Sequence, residues 1–82
     1  MADEIVLNVV ILTPERMIYE GTAHSLILPG EQGVFEIQPY HRELLSRLVK
    51  GALVLDGHDF PIKRGVVKIV KNEAVVIVEE QG

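Results

Sequence analysis

The chain has 82 residues, 48% of them apolar and 24% charged, which is the composition of one small globular domain and not of a disordered segment. It has no cysteine, which excludes a disulfide framework and a thiolate metal site. Its formal net charge of −4 is the wrong sign for a nucleic-acid or anionic-membrane binder. No apolar run reaches the ~18 residues of a membrane-spanning helix, and the start Met1-Ala2-Asp3-Glu4 is acidic where a targeting peptide is basic.

Twelve Val and eight Ile against four Ala favour strands over helices. Residues 5–12 form a β-rich run stopped by Thr13-Pro14, and a short strand over 17–20 ends at Gly21. The segment 24–28 runs into the turn dipeptide Pro29-Gly30, and 34–38 alternates apolar and polar with period two. Pro39-Tyr40-His41-Arg42-Glu43 reads as a polar loop, whereas Leu44, Leu45 and Leu48 fit either a helical turn or a strand. Ala52 to Leu55 closes at the hairpin signal Asp56-Gly57, and Pro61 places the returning segment 60–63 at an edge or a strand start. Segments 66–70 and 74–78 flank Lys71-Asn72-Glu73, a compact hairpin turn. Many short strands at even spacing predict an all-β sandwich or small barrel. It would form a single soluble, intracellular domain over 1–82, with flexible tails at 1–4 and 80–82.

The first and last strands are apolar on both faces, broken only by Asn8. A two-layer domain covers only one face of each sheet. Either crossing loops or the opposite sheet cover the other face, or it docks on a partner. Charge is uneven: residues 1–41 carry six acids and one base, and 42–82 six acids and seven bases. Scattered charges of this kind are ordinarily solvated surface.

No catalytic constellation is legible. His24, His41 and His58 lack the close spacing of a local metal motif. Ser25 and Ser46 lie outside any nucleophile elbow. The loop Gly30-Glu31-Gln32-Gly33 has neither the Lys nor the Ser/Thr of a phosphate loop, and its glycines suit turn geometry. Four aromatic residues are too few for a base-stacking platform. Lys71, between Val70 and Asn72, lacks the flanking residues of a lipoyl or biotinyl carrier lysine. The expectation is therefore a non-enzyme with no catalytic residue, metal or cofactor.

One set of motifs is more specific. Leu12-Thr13-Pro14-Glu15-Arg16-Met17-Ile18-Tyr19-Glu20-Gly21 resembles the opening V-T-P-E-x-x-x-F-x-G of the ATP synthase epsilon subunit family. Leu28-Pro29-Gly30-Glu31-Gln32-Gly33-Val34-Phe35 resembles its V-P-G-x-x-G-x-F, and Pro39-Tyr40-His41 stands where the family has P-G-H. Arg64-Gly65-Val66-Val67-Lys68-Ile69, with Asn72, Val75 and Ile77, resembles its closing segment G-G-F-x-E-V-x-x-N-x-V-x-I. These matches are collinear over roughly residues 5–79.

The resemblance implies a ten-stranded β-sandwich of two sheets, the amino-terminal domain of that subunit. It implies a non-catalytic element of the central stalk that couples a membrane rotor ring to the gamma subunit during ATP synthesis. The partners would be gamma and the ring, with no nucleic acid and no direct membrane insertion, at the cytoplasmic face of a bacterial inner membrane. By position, Thr13 and His41 match gamma-facing residues, and Glu31, Gln32, Gly33 and Val34 match the loop that faces the ring. A β-sandwich interaction module of some other assembly is the alternative.

Two family glycines are replaced by Glu36 and Tyr40, and the Ala-Pro after the histidine is Arg42-Glu43. A Cβ at position 40 restricts φ there. Most members carry a further helical hairpin that can inhibit ATP hydrolysis and in some binds ATP. A chain ending at Gly82 is expected to lack both properties.

Overall fold

The computed structural model describes residues 5–81; the tail expected at 1–4 and the last residue of the one expected at 80–82 lie outside the described residues. Eight strands follow one another: β1 (Leu7–Leu12), β2 (Met17–Ala23), β3 (Leu26–Gly30), β4 (Gly33–Ile37), β5 (Leu44–Leu48), β6 (Gly51–Leu55), β7 (His58–Val70) and β8 (Glu73–Glu80). They form one hydrogen-bonded sheet in the order β2-β1-β8-β7-β5-β3-β4, with β6 joining β3 to β7. The first and last strands lie side by side and parallel, Val9 opposite Ala74 and Ile11 opposite Val76.

The sheet folds over itself through β7. Its first part pairs with β6, Leu53 opposite Phe60, and its last part with β5 and β8, Ser46 and Val76 flanking Val67. Strand β3 makes the reciprocal exchange, pairing with β6 at Leu26 and Ile27 and with β5 at Gly30. The circuit β7-β5-β3-β6 thus closes on itself, which removes those edges from solvent. The folded sheet encloses one core that includes Leu7, Ile11, Leu26, Leu28, Leu53, Ile62 and Ile69, each at most 1% exposed.

Two expectations need correction. The ten strands in two sheets are eight strands in one continuous folded sheet. The segments 60–63 and 66–70 are one strand of thirteen residues. A register shift between Ile62 and Arg64 marks a bulge that bends the strand without ending its ladder. At the carboxyl end, Glu80 is a strand residue and Gln81 Nε2 donates to the Ile62 carbonyl at 3.1 Å.

Leu44–Leu48, whose spacing fits either a helical turn or a strand, is a strand, its side chains alternating towards the buried Leu48 because pairing with β7 imposes period two. Other expectations hold. Pro61 sits where β7 pairs with β6 alone, since the pairing with β8 begins at Ile62. Asp56-Gly57 and Lys71-Asn72 are tight turns, all four residues at positive φ. The Asp56 carboxylate also accepts the backbone N–H groups of His24 and Ser25, both at 2.9 Å, and so pins the crossing from β2 to β3.

Candidate interaction surface

Alternation along β1 and β8 sends Leu7, Val9, Ile11, Ala74, Val76 and Val78 inward. Their neighbours Val10, Leu12, Val75 and Ile77 then share the outer face. The pairing sets these in two transverse rows. One runs Leu12–Ile77–Val66–Arg47 and the other Val10–Val75–Lys68–Leu45. Val10, Leu12, Val66 and Val75 are partly buried, while Ile77 is 41% and Leu45 72% exposed. The doubly apolar strands thus build a core with one face and an apolar outer patch with the other. An apolar patch edged by Arg47 and Lys68 has the character of a protein-docking surface.

Thr13 is only 6% exposed, and its role is local. Its hydroxyl accepts the backbone N–H groups of Glu15 and Arg16, at 3.2 and 3.1 Å, and donates to the Arg16 carbonyl at 3.3 Å. This ST turn folds the chain back after Pro14, and the exposed surface at this corner belongs to Pro14, Glu15 and Arg16. Arg16 Nη2 meets both oxygens of Glu80, at 3.1 and 2.9 Å, tying the turn to the end of β8. Both groups are half-exposed, so this pair adds little stability. Thr13→Val, which keeps the shape and removes the hydroxyl, is expected to cost about 1 kcal/mol in urea unfolding, with Thr13→Ser close to wild type.

His41 lies at the opposite end of β1 from Thr13, beside the β7–β8 turn. Strand β1 separates it from Thr13 by roughly 17 Å at the usual rise per residue. Asn72 holds the His41 segment in place from the β7–β8 turn. Its side-chain oxygen accepts the Tyr40 N–H at 2.7 Å, and its Nδ2 donates to the Val6 carbonyl at 2.8 Å. The Asn72 carbonyl accepts the Asn8 N–H at 3.1 Å. His41 itself donates from its backbone N–H to the Gln38 carbonyl and from Nδ1 to the Arg42 carbonyl. Tyr40 adopts φ 64°, the left-handed conformation that its Cβ disfavours by about 1–2 kcal/mol, and its side chain is 72% exposed.

The loop Glu31, Gln32, Gly33 and Val34 is exposed, with Gly33 at φ 123° closing the turn from β3 to β4. It lies at the Thr13 end. Glu31 and Pro14 flank one open groove of about 510 Å³, floored by Leu48, Gly65, Val66 and Ile77. The structure therefore groups the 13–16 turn with the 31–34 loop and sets His41 apart from both. No sequence pattern identifies Asn72 as the residue holding the His41 segment, because its partners Tyr40 and Val6 are 32 and 66 positions away. Among the described residues, no three His, Asp or Glu side chains gather as metal ligands would, and no helix is long and apolar enough to cross a membrane.

An all-β sheet folded into two layers around one core defines the class, a β-sandwich domain. Residues 6–81 match the family described as ATP synthase, Delta/Epsilon chain, beta-sandwich domain, and the chain belongs to that family. It is 36% identical over 78 residues to an ATP synthase epsilon chain of a Nitratiruptor species, the match covering 89% of this chain and 60% of that one. It is 32% identical over 75 residues to an ATP synthase epsilon chain of Chlorobium limicola, with 85% of each covered. The chain thus spans about three fifths of the first of these relatives and most of the second.

Its fold is similar to a chain in the central stalk and c-ring of the Tetrahymena thermophila mitochondrial ATP synthase, with a TM-score of 0.76 at 19% identity over 89% of this chain and 63% of that chain. A chain in the OSCP/F1/c-ring structure of the Euglena gracilis mitochondrial ATP synthase gives 0.85 at 11% identity over 98% and 54%.

Proposed function

We propose that the domain is a non-catalytic rotor element of an ATP synthase, which joins the gamma subunit to the membrane rotor ring and transmits rotation without bond chemistry of its own. The apolar outer patch at the ends of which Thr13 and His41 lie carries this reading. Relatives named ATP synthase epsilon chain, and a structural neighbour from a central stalk and c-ring, support it. Gamma docks over Val10, Leu12, Val66, Val75 and Ile77, with the Thr13-shaped turn and His41 as its two limits. The exposed loop of Glu31, Gln32, Gly33 and Val34 reaches the ring's polar loops. The complex works at the cytoplasmic face of a bacterial inner membrane, and the domain needs no cofactor.

The test is co-expression with the cognate gamma subunit and size exclusion of the product. A one-to-one complex is the expected result. Separate elution at low salt and high concentration would overturn the rotor reading in favour of an interaction module of another assembly.

A further inference from the structure

We infer that Asn72 is a positioning residue that holds Tyr40 in its left-handed conformation, and that the ring of Tyr40 so presented is an aromatic anchor for the protein that docks beside His41. The inference rests on the proposed rotor function for the identity of that protein, gamma, and deepens it.

Three observations meet at this corner. Tyr40 takes φ 64° without a glycine's freedom, so the conformation must be held from outside the residue. The hold is the 2.7 Å hydrogen bond from the Tyr40 N–H to the Asn72 side-chain oxygen. Asn72 is itself fixed, since its Nδ2 donates to Val6 and its carbonyl accepts from Asn8, so turn, β1 and the 38–43 loop share one bracket. The result is a phenol side chain 72% exposed at the end of the apolar face, next to Arg42 and Lys71. A tyrosine held before binding loses little conformational freedom on docking. Tyr is also among the residues that most often carry an interface's affinity.

The chain's own turn geometry provides a clean variant. Asn72 occupies the second position of a turn whose central residues both have positive φ, Lys71 at 51° and Asn72 at 62°. Glycine suits that position, so Asn72→Gly keeps the hairpin and the backbone bond from Asn8 and removes only the side-chain bonds to Tyr40 and Val6. The experiment compares wild type, N72G and Y40G by amide hydrogen exchange and by titration with purified gamma.

The expected result for N72G is a Tm near wild type, exchange of the Tyr40 amide at least ten times faster, and affinity for gamma about tenfold weaker. Y40G should be more stable than wild type yet also bind about tenfold more weakly, a split that a purely structural role would not produce. Unchanged exchange at Tyr40 in N72G would overturn the positioning role, and wild-type affinity in Y40G would overturn the anchor. Failure of the wild-type chain itself to bind gamma would overturn the rotor reading and with it the anchor; exchange in N72G would still decide the hold on Tyr40.

Discussion

Ile77→Glu is expected to abolish the proposed complex with gamma while leaving the free domain folded. Ile77 sits between Leu12 and Val66 on the outer face and is 41% exposed, so a glutamate there can reach water in the free domain. The stability cost should stay within about 1 kcal/mol. In the complex the same carboxylate would be carried out of water against the apolar patch of Leu12, Val66 and Val75. Removing a charge from water into such a site is costly, and a loss of about 100-fold or more in affinity follows, or about 2.7 kcal/mol. Circular dichroism and urea unfolding check the fold, and titration calorimetry against gamma reads the affinity. Wild-type affinity in a folded I77E would move the gamma site off this face. Thr13 is a poor place for the same charge, because it is buried and its hydroxyl organises the turn, so a loss of binding there would follow a loss of fold.

The second large effect is on stability. Gly65→Ala should destabilise the domain by about 1–3 kcal/mol. Gly65 lies between Leu48 of β5 and Val78 of β8, just beyond the bulge that turns β7 from one layer to the other. A Cβ at this position would stand 2.6 Å from the Ile77 carbonyl oxygen and 2.9 Å from Val78 Cγ1. The valine can rotate, but the carbonyl belongs to the β8 backbone and moves only if the strand moves. An alanine also restricts the unfolded chain, which offsets the strain by about 0.4–1 kcal/mol. The net should still lower Tm by roughly 5–20 °C in a domain of this size. An unchanged urea midpoint would show that β8 yields freely at Ile77, against the close approach of these strands.

Asn72 and Thr13 show how far the fold and its surface can be read along the chain. Both stand in segments that resemble family motifs, and both lie in turns whose chemistry is visible locally: Pro after Thr13, and Lys71-Asn72 between two apolar runs. What each side chain does is settled by its partners. Those of Thr13 lie within three residues, so its turn was within reach of sequence reasoning, although its burial was not. Those of Asn72 lie 32 and 66 residues away and meet it only once β1 pairs with β8. The positive φ of Tyr40 follows from the same bracket, where the Cβ alone argued against it.

By itself the sequence determined the all-β class, most strand positions and the family. Period-two alternation, β-branched content and turn residues are local properties that need no knowledge of the partner strand. It also showed that the first and last strands are apolar on both faces, and left open whether the rest of the domain or a partner covers the outer one. Tertiary structure alone decided that 60–63 and 66–70 are one strand, since a bulge is a property of two paired strands and leaves no local signature. It alone placed the 13–16 turn beside the 31–34 loop and His41 at the far end of β1. Such neighbours come from hydrogen-bond register between distant segments, which side-chain pattern along one chain does not encode.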